Sequence, residues 1–243
     1  MKIFSTLHIG SAHQNHCEDY LVHAPIGTQQ HLIAVMDGCS MGTDSYFVAT
    51  LTGKLLRKIA WEQYCKSFAE QAAYDPPFLL DFTAKVLFQS LKTTVQTLQL
   101  KREETLHTLI LGIIDEHTKN AAFLCIGDGL ICVNGQFHEF DHDNRPDYLG
   151  YHLHENVDHY IDNHPQKIFI EQLQDASIST DGIYSFRPYS NKRFPNPPNL
   201  LHYLLTDRQL VDTNNMLDRK VKDIHAEWGL APFDDLGIIR VTL

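Results

Sequence analysis

The chain has 243 residues, of which 43% are hydrophobic and 21% are charged, and its formal net charge is −10. This length and composition fit one globular domain spanning residues 1–243, with enough apolar residues for a large buried core. The acidic balance argues against a nucleic-acid-binding protein, because phosphate backbones are bound by clustered Lys and Arg side chains.

The first half of the chain predicts three strands followed by two helices. Extended runs at 2–9, from 19 onward and at 31–36 predict the strands. From about residue 45 to residue 73 the apolar residues recur at helical spacing, and Asp75-Pro76-Pro77 ends this helix. A second amphipathic helix is predicted at about 78–100.

The second half of the chain predicts mainly strands. Short β-rich runs lie at 108–114, 121–126, 130–133, 168–173 and 176–180. Polar residues 141–163 predict a loop, and residues 187–199, rich in Pro and Asn, predict an irregular surface segment. A last helix is predicted at 207–228 and a last strand at 236–242. Because strands and helices do not alternate, this order predicts an antiparallel α+β protein whose helices cover sheet faces.

The cysteines and the N-terminus indicate the compartment. Five cysteines, at positions 17, 39, 65, 125 and 132, are not the even set typical of a disulfide framework. The N-terminus lacks the apolar segment of a signal peptide, and no apolar run reaches membrane-spanning length. We therefore expect a cytoplasmic protein with no membrane partner.

Acidic residues stand at the ends of the predicted strands. An Asp-Gly pair follows an apolar run at Asp37, Asp128 and Asp181. Two further acidic pairs, Glu18-Asp19 and Asp234-Asp235, precede apolar strands. Asp-Gly is also the preferred type I′ hairpin turn, and for Asp128 this alternative is equally good because a strand-like run follows at once.

Neighbouring strands could bring these carboxylates into one pocket. Clustered carboxylates repel one another, and burying them without a partner is costly. Oxygen ligands suit Mg²⁺ or Mn²⁺, and a glycine beside a ligand leaves its carbonyl oxygen accessible. Two such ions about 3.5–4 Å apart activate a water molecule for attack on a phosphoryl group. The residues therefore predict a metal-dependent phosphatase site.

The order of these motifs resembles the type 2C family of metal-dependent Ser/Thr protein phosphatases, over nearly the whole chain. It implies an αββα sandwich of two antiparallel β-sheets flanked by helix pairs, and a substrate protein carrying phosphoserine or phosphothreonine. The matching motifs are Glu18-Asp19, Val35-Met36-Asp37-Gly38, Thr108-Leu109-Ile110-Leu111, Ile126-Gly127-Asp128-Gly129, Ser179-Thr180-Asp181-Gly182 and Phe233-Asp234-Asp235-Leu236.

The resemblance also implies a metal centre with two Mn²⁺ or Mg²⁺ ions. By this analogy Asp37 bridges both ions, and the carbonyl of Gly38 completes one site. Asp181 and Asp234 hold the other ion, and Asp128 contributes to a weaker third.

Three more acidic residues receive roles from the same analogy. Glu18 and Asp19 would orient the reacting water molecules, which makes them catalytic candidates together with Asp37 and Asp181. Asp235 would support the metal ligands.

The chain departs from the family pattern where the substrate phosphate is bound. Many members have an arginine four residues before the early glutamate, and this chain has Gln14 there. The animal enzymes have a histidine after the first Asp-Gly, and this chain has Cys39. Gln14 and His13 are our candidate phosphate contacts, with a structural hydrogen bond as the alternative for His13.

Three segments resemble a bacterial branch of the family, so we expect a bacterial source. They are Gly10-Ser11-Ala12-His13, Cys17-Glu18-Asp19 and Asn144-Arg145-Pro146-Asp147-Tyr148-Leu149.

Two other functions stay open at this point. The missing arginine is compatible with a catalytically weak phosphatase-like module that binds phosphoproteins or a regulatory partner. A phosphatase acting on small phosphorylated metabolites is the other alternative. A zinc enzyme is disfavoured because the sequence has neither HExxH nor Cys-x-x-Cys. Cys39 is a poor candidate nucleophile because no phosphate-binding loop with a following Arg accompanies it.

Overall fold

The computed structural model describes residues 1–40, 42, 44–140 and 146–243. Asn144 and Arg145, which carry part of the resemblance to bacterial phosphatases, lie outside the described residues. Among the described residues, the strands form two five-stranded antiparallel sheets and one small two-stranded sheet.

The first sheet has the strand order β2-β3-β4-β5-β8. Its strands are β2 (Tyr20–Gly27), β3 (Gln30–Gly38), β4 (His107–Asp115), β5 (Ala121–Ile126) and β8 (Lys167–Ile170). The second sheet has the order β1-β12-β9-β6-β7. Its strands are β1 (Lys2–His8), β6 (Gly129–Val133), β7 (Gln136–Phe140), β9 (Asp175–Ser179) and β12 (Leu236–Thr242). The small sheet pairs β10 (Phe186–Pro188) with β11 (Leu230–Pro232).

The two large sheets pack face to face. Ile33, Val35 and Ile110 of the first sheet share one core cluster with Ile178 and Ile239 of the second. The outer faces of β3 and β4 are also buried, under helices. Burial on both faces explains why these strands have continuous apolar sequences instead of an alternating pattern.

The helices form the two outer layers. Helices α1 (Ser45–Glu70) and α2 (Pro76–Leu98) pack on the first sheet, and the short α3 (Val157–Asp162) packs beside α2. Helices α4 (Leu200–Leu205) and α5 (Met216–Trp228) cover the second sheet. The predicted αββα sandwich with flanking helix pairs is therefore confirmed. None of the helices that the structure describes is both long and apolar enough to cross a membrane.

Several predicted boundaries are wrong. The last helix starts at Met216 and not at 207, because the preceding residues form turns, one of them held by Asp207 accepting from the Gln209 amide at 2.9 Å. The predicted strand 168–173 ends at Ile170. The predicted loop 141–163 contains α3, which begins where the Asn156 side chain accepts from the His159 amide. The sequence did not predict β7, β10, β11 or α4, which are all short.

Candidate metal centre and active site

Five chain segments bring acidic residues to one end of the two large sheets. Asp37 is the penultimate residue of β3, and Asp19 immediately precedes its partner β2. In the second sheet Asp181 follows β9, and Asp235 immediately precedes the neighbouring β12. Asp128 lies in the connection between β5 and β6. Because neighbouring strands are antiparallel, the end of one strand lies beside the start of the next, and the acidic residues meet there.

The connection at Asp128 is not a hairpin. Strand β5 belongs to the first sheet and β6 to the second, so the chain crosses between sheets here. Gly127 and Gly129 both have positive φ, at 91° and 138°. The hairpin alternative for Asp128 is therefore wrong, and its carboxylate is close enough to raise the pKa of Asp181.

Asp235 is a buried acceptor that ties three site segments together. Its Oδ1 accepts from the Gly10 amide at 2.6 Å, and its Oδ2 accepts from the Glu18 amide. A Cβ at Gly10 would lie 2.2 Å from the Asp234 carbonyl carbon, so only glycine allows this approach. Asp235 thus fixes the N-terminal loop against the segment before β12.

His13 lies among the carboxylates. Its Nδ1 is 2.9 Å from Asp235 Oδ2, within ion-pair distance. Its Nε2 is 3.9 Å from Glu18 Oε2. Burial lowers the pKa of His13, but Asp235, Glu18 and Asp234 outweigh it and raise the pKa above its usual value. Gln14, the other phosphate-binding candidate, is exposed beside it.

The early acidic pair is held from two sides. The Ser45 hydroxyl donates to Glu18 Oε1, and the Gly38 amide donates to the Glu18 carbonyl at 3.2 Å. The buried carboxylate of Asp19 accepts from the Thr180 hydroxyl at 2.7 Å. Thr180 Oγ1 in turn accepts from the Gly237 amide at 3.0 Å, which fixes the direction in which its proton points.

Thr180 and Ser45 are site residues that the sequence reasoning missed. A hydroxyl residue directly before Asp181-Gly182 was the available signal for Thr180. Ser45, at the start of α1, carries no comparable signal. Tyr148 was also missed as a site residue: burial raises its pKa, and a hydrogen bond with Cys39 and the nearby charges of Asp37 and Asp128 add to the effect.

Burial and neighbouring carboxylates raise the pKa values of three carboxyl groups in the site. Burial raises the pKa of Asp37 well above its usual range, and the charges of Asp19, Asp181 and Asp234 add to the effect. Burial likewise raises the pKa of Asp19, which shares a hydrogen bond with Asp37. Burial together with Asp128 and Asp234 raises the pKa of Asp181 to about 6. The cluster therefore holds more negative charge than its surroundings stabilise.

This donor set fits a hard divalent cation. The grouped acceptors are carboxylate oxygens, and such ligands suit Mg²⁺ or Mn²⁺. A cation would also offset the repulsion that raises the pKa values of Asp37 and Asp181. Within the part of the chain that the structure describes, no three acidic, His or Cys side chains already converge on one ion position. The site therefore matches a divalent cation in the type of its ligand atoms and in its charge.

The fold is shared with solved phosphatase structures. A bacterial serine phosphatase bearing a single arginine substitution is 14% identical, with 100% of this chain and 98% of that chain covered and a TM-score of 0.67. Stp1 from Staphylococcus aureus, a serine/threonine phosphatase, is 14% identical, with 99% and 94% covered and a TM-score of 0.61. RsbX in complex with magnesium is 14% identical, with 98% and 92% covered and a TM-score of 0.56.

Sequence comparison gives the family. A search of curated protein sequences finds no significant match. The family model for protein phosphatase 2C matches residues 8–221, which contain the acidic segments at Glu18-Asp19, Asp37, Asp128 and Asp181. The chain therefore belongs to the protein phosphatase 2C family.

Proposed function

We propose that this chain is a metal-dependent protein Ser/Thr phosphatase that hydrolyses phosphoserine and phosphothreonine esters. The observation that carries the proposal is the placement of Asp19, Asp37 and Asp181, from three different chain segments, at one end of the sheets, where burial and neighbouring carboxylates raise their pKa values. The protein gathers these carboxylates at a cost to its own stability, which is typical of a functional site.

The metal ligands in this proposal are Asp37, Gly38, Asp181 and Asp234, with Asp128 at a weaker third site. Bound there, Mn²⁺ or Mg²⁺ ions would lower the pKa of a water molecule and neutralise charge on the phosphate. The magnesium complex of RsbX, a protein of the same fold, supports this choice of ion.

Glu18 and Asp19 hold and orient the reacting water through hydrogen bonds. Asp19 is suited to this because the Thr180 hydroxyl donates to its Oδ2 at 2.7 Å and so holds the carboxylate in place. Asp235 keeps both segments in register through the Gly10 and Glu18 amides. An oriented acceptor loses less entropy in the reaction than a mobile one does.

The phosphate is bound by Gln14, assisted by His13. Gln14 is exposed at the edge of the site, and its amide offers neutral donors to phosphate oxygens. His13 is held by Asp235 and Glu18, and its raised pKa favours a positive charge beside the site. A neutral amide binds phosphate more weakly than the paired, charged donors of an arginine.

The second candidate function is a phosphoprotein-binding module with little turnover. The observation that favours it is Gln14, which replaces the phosphate-binding arginine of many family members. Both candidates predict phosphopeptide binding, so turnover must separate them.

Hydrolysis of para-nitrophenyl phosphate and of a phosphothreonine peptide tests the proposal. After chelation we expect no turnover, and we expect recovery with Mn²⁺ or Mg²⁺ but not with Zn²⁺. Metal-dependent turnover of the peptide supports the phosphatase. Binding of the peptide without turnover in any metal supports the binding module, and full activity in chelator contradicts the metal centre.

A further inference from the structure

A groove of about 480 Å³ lies between α5, the C-terminal end of β1 and strand β11. Its walls are mainly apolar and come from Ile9, Val221, Ala226, Leu230 and Pro232. We call it the α5 groove. Ile9 is 46% exposed and Ala226 is also exposed, although both are apolar. The groove has the volume of a typical ligand-binding cleft.

Two chain segments connect the α5 groove with the candidate active site. Ile9 is followed by Gly10, whose amide donates to Asp235 at 2.6 Å. Pro232 lies two residues before Asp234, and its carbonyl accepts from the Ser11 amide at 3.1 Å. The two segments that end the groove are therefore the ones that lead directly to the carboxylates.

The rim of the α5 groove is polar and carries positive charge. The Lys222 side chain is exposed on α5. His225, one turn further along α5, stacks on Tyr189 with ring centroids 4.0 Å apart. An exposed lysine beside an apolar wall suits a partner segment that carries an acidic side chain next to apolar ones.

His8 adds a directed acceptor to the groove wall. Thr6 Oγ1 donates to Asp218 Oδ1 at 2.6 Å and lies 2.8 Å from His8 Nε2. Because the hydroxyl proton points to Asp218, His8 Nε2 must donate to Thr6, and its Nδ1 is left as an acceptor. A backbone amide of an extended peptide matches this acceptor.

We propose that the α5 groove binds the part of the phosphoprotein substrate that flanks the phosphorylated residue. It takes an apolar side chain against Ile9 and Ala226, with a neighbouring acidic side chain at Lys222. The inference rests on the proposed phosphatase function. Its basis is the pair of chain segments that connect the groove with the site, and the match in charge and polarity.

The experiment compares two phosphothreonine peptides on the wild-type protein and three variants. One peptide carries alternating Leu and Glu on both sides of the phosphothreonine, and the other carries Ser at those positions. Ala226→Trp fills the groove, and Lys222→Glu reverses its charge. Arg219→Glu is the matched control, because Arg219 is exposed on the same helix but does not line the groove. Para-nitrophenyl phosphate, which has no flanking residues, reports on the site itself.

We expect the wild-type protein to have a KM about tenfold lower for the Leu/Glu peptide than for the Ser peptide. Ala226→Trp and Lys222→Glu should remove most of this preference, whereas Arg219→Glu should keep it. All three should hydrolyse para-nitrophenyl phosphate at the wild-type rate.

Three results would overturn the inference. If the wild-type protein hydrolyses para-nitrophenyl phosphate but shows no preference, or a preference that survives Ala226→Trp, substrates do not use the groove and the phosphatase proposal stands. If Ala226→Trp instead dissociates a dimer seen by light scattering, the groove is an interface between two copies. Absence of all hydrolysis would contradict the phosphatase proposal itself, and the inference with it.

Discussion

Two regions of this molecule bury charged side chains, and they do so in opposite ways. Beneath α4 and α5, the buried Arg240 donates to both carboxylate oxygens of Asp175, at 2.8 and 3.2 Å. Lys220, also buried, donates to the Asp207 carboxylate at 2.8 Å and to two carbonyls. At the other region, Asp19, Asp37 and Asp181 face one another.

The difference shows which buried charges are neutralised by other groups of the protein. In the first region each buried cation has an anion and several carbonyls, so the desolvation cost is offset internally. In the second, burial and neighbouring carboxylates raise the pKa values of Asp19 and Asp37. A cation from solution would supply what the chain lacks there, which is why we assign structure to the first region and chemistry to the second.

A substitution among the buried ion pairs beneath α4 and α5 should affect stability and not turnover. We expect Arg240→Met to lower the free energy of unfolding by about 3–5 kcal/mol, because it removes the guanidinium that pairs with the Asp175 carboxylate and donates to the Thr206 carbonyl. Urea denaturation measures this. Arg219→Met, an exposed change, should leave stability nearly unchanged. A stable Arg240→Met protein with reduced turnover would reverse our assignment of the two regions.

A substitution in the carboxylate cluster should lower turnover and not stability. Asp37→Asn should lower turnover about a hundredfold to a thousandfold, or about 3–4 kcal/mol in activation free energy, because the proposed bridging ligand loses its charge. The protein should stay folded, as circular dichroism would show. Asp212→Asn, at a carboxylate that is 93% exposed, is the control. If Asp37→Asn keeps more than about a tenth of wild-type turnover, Asp37 does not bridge the ions.

The raised pKa of Asp181 should make the stability of the metal-free protein depend on pH. A carboxyl group with a raised folded-state pKa favours folding at low pH, and this contribution is lost as the pH rises through that pKa. For Asp181 the window runs from its unfolded pKa, near 4, to about 6. Metal-free Asp181→Asn should therefore be about 2–3 kcal/mol more stable than metal-free wild type at pH 8. Denaturation at pH 4 and pH 8 should show the difference shrinking at the lower pH. An equal difference at both pH values would contradict the raised pKa.

The smallest expected effect concerns phosphate binding at the edge of the cluster. Gln14→Arg should lower KM for simple phosphoesters by a factor of a few to tens, about 1–2 kcal/mol, by adding a charged, two-pronged donor. Turnover should change less, because the metal ligands are untouched. Steady-state kinetics at fixed Mn²⁺ measures both. An unchanged or higher KM would show that the phosphate is bound elsewhere, and His13→Ala should then raise KM.

The sequence predicted the site segments better than their surroundings. Asp37, Asp181 and Asp235 could be placed because each lies at or close to the end of an apolar strand, and strand ends are visible as changes in hydrophobic pattern. Short elements such as β10 and α4 give too few residues for a periodic pattern to emerge. They form because tertiary packing stabilises them, which a local pattern does not reveal.

The hydrogen-bond partners of the site residues could not be predicted from the sequence either. Thr180 and Ser45 act through hydrogen bonds to Asp19 and Glu18, residues 161 and 27 positions away in the chain. Arg240 was an ordinary residue in an apolar strand, and only the packing of α4 and α5 over β12 explains its burial. Long-range contacts of this kind follow from the topology, which motif spacing alone does not give.

The most direct test of the central claim is anomalous diffraction from a crystal of the wild-type protein soaked in Mn²⁺. We expect two strong manganese peaks and a weaker third. One strong peak should lie between Asp37 and the Gly38 carbonyl and the other among Asp37, Asp181 and Asp234, with the weaker peak near Asp128. Absence of these peaks at saturating Mn²⁺, or peaks confined to other surfaces, would contradict the claim that the carboxylate cluster is a metal centre.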